Sequence, residues 1–382
     1  MAHPNPPNPL PPILVLDGGL GTTLEANHSC HFTQETPLWS AQLLIPSYHP
    51  HDGSPSGPDV LLSAQKSFVA AGADILLTAT YSASFEGFGR SGFDVGTGEK
   101  AGKDREVVEK WMRGAVDIAY EAISSAGAST KKQIALSLGA YGAIMSPSQE
   151  YAGKYDTYHQ GLEQLRDWHR ERIDVFRAEE SCWGKVDVLA FETLPLAVEV
   201  RGVRRVMEDL SSSSGESGKR FWISCVFPGL EGDERWRLSD GSTVPKVVDA
   251  MLGRREGEAV PWGIGLNCTK VEKVEKLVLD FEKEVRKLLD RGEIAEWPAL
   301  VIYPDGTARG EVYNTTTKVW EVRERGDEKG DGEERSWDEE MEGIVRRARE
   351  RGFWREILVG GCCKTTPVEI GKLRGRIDGL VG

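Results

Sequence analysis

The 382-residue sequence has no apolar run approaching the roughly 18–20 residues that a membrane-spanning helix requires. Its first twelve residues, MAHPNPPNPLPP, lack the basic and apolar regions of a secretory signal and read as an extended, disordered Pro-rich arm. A basic surplus is missing too. The 47 Lys and Arg stand against 60 Asp and Glu, a net charge of −13, which argues against nucleic acid or an anionic membrane as partner. A cationic small molecule suits that charge, and so does an ordinary solvated acidic surface. Cysteine is scarce: six residues in no small-scaffold spacing point to a reducing, cytoplasmic setting rather than a disulfide framework.

What the sequence does hold is a rhythm. Eight short apolar runs recur at residues 13–16, 74–80, 133–138, 186–191, 221–227, 262–266, 299–303 and 356–359. They are continuous rather than alternating, the pattern of parallel strands covered on both faces. Between them, residues 103–126, 155–177 and 271–291 place apolar residues every three to four positions, the period of amphipathic helices. This repeat predicts an α/β fold, a single (β/α)8 TIM barrel over residues 13–382. A doubly wound open sheet is the alternative, but DGGLGTTLE after the first run lacks the GxGxxG fingerprint of dinucleotide binding. Residues 49–59, 211–219 and 323–339 are turn-rich or mixed-charge and read as loop insertions.

In such a barrel, chemistry collects where strands end. Asp17 follows the first run, Glu192 the fourth, Asn267 and Cys268 the sixth, and Gly360-Gly361-Cys362-Cys363 the eighth. One cysteine alone usually packs, which is the reading for Cys182 and Cys225. Three thiols at two strand ends can hold zinc with its fourth position open. Adjacent thiols on a strand point to opposite faces, so the chain must leave β geometry at Cys362-Cys363, and two glycines permit that. A Cys362–Cys363 disulfide is the rival reading. Thr366-Pro367-x-Glu369 reads as the start of a helix just beyond.

No His follows any of the eight runs, which removes His-rich zinc hydrolase sites and leaves no evident base for activating water. His28, Cys30 and His31 have metal-ligand chemistry but lie in a polar loop. An all-thiolate zinc suits deprotonation of a substrate thiol. Asp17 and Glu192 at the mouths of buried strands suit a substrate ammonium; helix or loop capping is the plain alternative for Asp17. Aromatic faces at Tyr81 or Tyr141 can hold a cation or simply pack.

DGGLGT, GADILLTATYSAS, LSLGAYGA with EYAGKY and WHRERID, DVLAFETLP, GIGLNCT and GGCCKTTP together resemble the zinc-dependent homocysteine S-methyltransferases. The likeness runs in order from about Ile13 to the C-terminus, broken mainly by the inserts. It implies that Cys268, Cys362 and Cys363 bind zinc, with the homocysteine thiolate as fourth ligand. It also implies that Asp17 and Glu192, with Asn267 beside them, position the amino acid. The expected reaction is methyl transfer from a cationic donor to homocysteine, forming methionine. The YSAS, EYAGKY and KTTP segments look like the S-methylmethionine/S-adenosylmethionine branch, whereas YPDGTARGE departs from the YPNSGE of that branch. Rival readings are another thiol or selenol acceptor such as selenohomocysteine, betaine as donor, and a non-catalytic zinc or redox sensor.

Overall fold

The structure, a computed structural model, describes residues 10–33, 38–92, 104–127, 132–214, 218–230, 232–307, 311–314, 319–322 and 335–381. Most of the Pro-rich arm therefore lies outside the described residues. Among them, no helix is long and apolar enough to cross a membrane.

Eight parallel strands form the barrel: β1 (Ile13–Val15), β2 (Ile75–Leu77), β3 (Gln133–Gly139), β4 (Val188–Leu194), β5 (Arg220–Cys225), β6 (Gly263–Lys270), β7 (Ala299–Asp305) and β10 (Ile357–Val359). Strands β8 (Glu311–Asn314) and β9 (Val319–Val322) make a separate antiparallel hairpin between β7 and β10. The order β1-β10-β7-β6-β5-β4-β3-β2 runs round the barrel, and a parallel bridge from Leu16 to Ile75 brings β1 back to β2.

The continuous apolar runs have a direct cause. Side chains alternate across a strand, and here both faces are buried. On β7, Ala299, Val301 and Tyr303 point into the barrel with Leu16, Trp222 and Leu358, while Leu300 and Ile302 face the surrounding helices. The helices follow their apolar stripes. Val271–Asp290 buries Val274, Leu277, Val278, Phe281, Val285 and Leu288 along one face, and Arg105–Ser124 fulfils the expectation for 103–126.

Some boundaries differ. The helix expected from residue 155 begins at Leu162; before it, Tyr155 packs edge-on against Tyr141. Residues 57–59 of the expected 49–59 loop already form the first turn of a helix, with Ser56 as N-cap. Ser211–Ser214 extend the preceding helix, and residues 337–339 open another through a capping box on Ser336. Single serines act at these boundaries: Ser56 and Ser336 cap helix starts, and Ser211 Oγ donates to Met207 O near a helix end. The rest of 323–334 lies outside the described residues.

Candidate active site

Strands β4 and β6 run further than their apolar runs, through Leu194 and Lys270, and carry Glu192 and Cys268 inside them. Each strand shifts register there, between Phe191 and Leu194 and between Asn267 and Lys270. The irregular residues are Thr193 and Cys268, with φ of +59° and +46°. A β-branched residue in that region is rare, and such backbone costs on the order of 1–3 kcal/mol unless its surroundings hold it. Asn267 does the holding. Its Oδ1 accepts from the Thr193 N–H at 2.7 Å, and its Nδ2 donates to Thr193 Oγ1 at 2.7 Å and to Cys268 Sγ at 3.3 Å. Bulges of this kind re-aim side chains beside active sites. Expected as a substrate contact, Asn267 lines the cavity but joins the two bulges through its amide.

The GGCC segment is stitched between its neighbours. Cys362 N donates to Pro304 O at 2.8 Å and Gly306 N to Cys363 O at 2.8 Å. On the other side Gly19 N donates to Thr365 O at 2.9 Å and Lys364 N to Thr22 Oγ1 at 2.9 Å. The glycines serve by lacking a side chain, not by unusual φ; the left-handed residue of the turn is Lys364, at +59°. A Cβ on Gly361 would lie 2.2 Å from Thr365 Oγ1, and one on Gly19 would lie 2.2 Å from Cys362 O. Thr366 and Glu369 pair at 2.7 Å where the last helix, Pro367–Val381, begins, as the sequence predicts.

The three cysteine sulfurs lie within 4.8 Å of one another and form the only group of this kind among the described residues. Cys268 and Cys362 are joined as a disulfide, and Cys363 is a free thiol. The vicinal Cys362–Cys363 disulfide is therefore not formed. Such a sulfur triad fits one zinc ion once reduced, since zinc takes thiolates at about 2.3 Å. Burial pushes the Cys363 thiol up to about 12, with Asp305 and Glu150 adding to the shift and a Tyr151 hydroxyl hydrogen bond opposing it. A bound cation reverses that preference and favours thiolate. His28, Cys30 and His31 make no such cluster: Cys30 is buried, and its thiol faces the His28 carbonyl. Cys182 and Cys225 are buried packing residues.

Asp17 and Glu192 line the same cavity, of about 150 Å³, with the three cysteines. Asp17 caps no helix; its Oδ2 accepts from the Leu77 N–H of β2 at 2.8 Å. Burial raises its carboxyl well above the usual range against that hydrogen bond, and the Glu192 charge raises it further. Glu192 accepts from Ser137 Oγ, and burial lifts its carboxyl to about 7 although Ser137, Tyr303 and Arg172 oppose the shift. Tyr81 lines the cavity; Tyr141 does not, its hydroxyl bonding Asp156 and its ring stacked on His159 at 3.9 Å. Sequence reasoning missed Ser137, Glu150, Tyr151 and Trp39 as lining residues, although Glu150-Tyr151 opens the EYAGKY string.

The lining has one further property. It contains three carboxylates, Asp17, Glu150 and Glu192, and no Lys, Arg or His among the described residues. Fold and site together define a (β/α)8 barrel enzyme with a three-thiol metal-type centre and an anionic substrate cavity. The family model for homocysteine S-methyltransferase matches residues 14–377, and the chain belongs to that family of methyltransferases. It is 29% identical to homocysteine S-methyltransferase 2 of Arabidopsis thaliana, over 95% of this chain and 92% of the relative. It is 28% identical to selenocysteine Se-methyltransferase of Brassica oleracea var. italica, over 95% and 88%. The crystal structure of the Escherichia coli homocysteine methyltransferase MmuM in its metallated form has the same fold, with a TM-score of 0.62, 24% identity, and 95% and 96% coverage.

Proposed function

We propose that this protein transfers a methyl group from a cationic donor, S-methylmethionine or S-adenosylmethionine, to the thiolate of homocysteine. The observation that carries the reading is the cavity itself: three sulfurs and three carboxylates converge where no lining side chain among the described residues is cationic. Burying carboxylates is costly, and substrates bearing ammonium and sulfonium groups offset that cost. Cys268, Cys362 and Cys363 would hold zinc, which would supply the Lewis acidity that keeps a substrate thiol deprotonated at neutral pH. The metallated E. coli relative is consistent with a metal in this site.

The protein's own groups then act by position. Asp17 and Glu192 sit at the barrel floor and hold the amino group of homocysteine. Asn267 keeps the β4 and β6 bulges in register, so that Glu192 and Cys268 face the same space. The acceptor sulfur's lone pair forms the new S–C bond, and the electron pair of the donor's S–C bond stays with the departing thioether. Thiolate and sulfonium charges cancel, so no general acid is needed, and a buried site favours the loss of charge.

The test is a comparison of methyl donors and acceptors with reduced, zinc-reconstituted protein. Turnover with homocysteine and a sulfonium donor is expected, together with about one zinc per chain. Cys363→Ser should lose both metal and turnover. Full zinc retention in that variant, or preferential methylation of a selenol over homocysteine, would refute the corresponding part of the reading.

A further inference from the structure

The third carboxylate of the cavity differs from the other two in place and surroundings. Asp17, just past β1, and Glu192, within β4, are nearly inaccessible (4% and 5% exposed) and interact with each other. Glu150 lies on the loop that follows β3, keeps part of its surface open, and lines the same cavity as the cysteines. Its neighbour Tyr151 hydrogen-bonds the Cys363 sulfur.

The loop is built to hold Glu150 there. Gly142 O accepts from Gln149 N at 2.8 Å, and a Cβ on Gly142 would lie 2.7 Å from Glu150 N, so the chain can fold back only at a glycine. Ser239 Oγ donates to Tyr151 O at 2.6 Å and ties the loop to the segment that follows β5. Tyr81 Oη donates to Glu150 Oε2 at 2.6 Å. The Tyr81 ring in turn lies over Gly139, where a Cβ would sit 2.6 Å from it. Beneath both, the fully buried Arg172 guanidinium donates to the carbonyls of Thr80, Tyr81, Ala83 and Gly139 at 2.8–3.0 Å. A side chain so supported is preorganised for a ligand rather than loosely solvated.

We propose that Glu150, oriented by Tyr81, is the donor-selecting residue: it holds methyl donors of net positive charge and disfavours zwitterionic ones. This inference rests on the methyltransfer reading above. With the homocysteine ammonium on the two floor carboxylates, Glu150 is the remaining anion for the donor's cation. Every such donor brings a carboxylate into a cavity whose described lining offers no cation to meet it, but S-methylmethionine also carries an ammonium and so keeps a net positive charge, whereas a zwitterion such as betaine does not. Like charges brought together without screening water oppose binding.

The experiment compares two sulfonium donors that transfer the same group but differ in net charge: S-methylmethionine and dimethylsulfonioacetate, with betaine as a third arm. Glu150→Gln should raise the KM for S-methylmethionine about ten- to hundredfold, the size of a lost charged contact. The preference for S-methylmethionine over the zwitterions should fall by the same factor, while homocysteine KM and zinc content stay near wild type. Tyr81→Phe should move the preference in the same direction by less. An unchanged donor preference in both variants, or an equal loss with all three donors, would overturn the assignment. No turnover by the wild-type protein with any donor would overturn the functional reading itself, and this inference with it.

Discussion

At the scale of single residues, the site is a set of groups held in states they would not choose in water. Glu192 is the clearest. Its carboxyl, lifted to about 7 by burial, binds its proton more tightly folded than unfolded, so stability falls as pH rises from the ordinary Glu range through about 7. Metal-free Glu192→Gln keeps an acceptor for Ser137 and carries no charge. It should therefore match wild type near pH 4 and exceed it by on the order of 2–4 kcal/mol above pH 8, read from denaturant midpoints at both pH values. The same variant should raise the homocysteine KM strongly. A variant equally stable at both pH values would mean that Glu192 is not destabilised by burial. Asp17, Glu192 and the three cysteines were legible in the sequence because each follows an apolar run. Glu150 and Tyr151 were not, since their loop returns to the cavity through contacts with residues far away in sequence.

At the scale of elements, two features make the site: the paired bulges of β4 and β6, and the turn of Gly360–Thr365. The bulges left no mark in the sequence. Thr193 and Cys268 take left-handed backbone without being glycine, and only Asn267, bonded across 74 residues, explains why they can. The turn was half legible. Its two glycines announced a departure from β geometry, but their use is close approach to Thr365, Leu16 and Asp17. Gly361→Ala should therefore push the Cys362–Cys363 segment off its seat at a cost of about 1–3 kcal/mol. Zinc per chain should fall while far-UV circular dichroism stays unchanged. Normal zinc loading in this variant would show that the segment can yield.

At the scale of the molecule, the barrel closes at the β1–β2 seam through backbone bonds from Asp17 and Asp74 N–H together with their side chains. Between β1 and β2 a single bridge pairs Leu16 with Ile75. On either side of it a carboxylate replaces a missing ladder bond: Asp74 Oδ2 accepts from Val15 N at 2.8 Å, and Asp17 Oδ2 from Leu77 N at 2.8 Å. Asp17 thus joins two jobs, closure and the anionic floor of the cavity. Asp17→Asn keeps the acceptor and should preserve the fold while weakening homocysteine binding. Asp17→Ala strands the Leu77 N–H and should also lower unfolding free energy by about 1–3 kcal/mol relative to Asp17→Asn. Equal stability of the two variants, measured by urea denaturation, would leave Asp17 with binding alone.

The sequence by itself determined the eight-strand barrel and the three thiols at its rim. Burial on both faces of a strand writes a continuous apolar run, and a break in that run marks where chemistry can begin. It also carried the family likeness that names homocysteine. Only the tertiary structure decided which carboxylates share one cavity, that no cationic side chain among the described residues lines it with them, and that the three sulfurs from two strand ends lie within 4.8 Å of one another. These depend on contacts between residues tens to hundreds of positions apart, and local propensity has no term for distances set by closing a barrel.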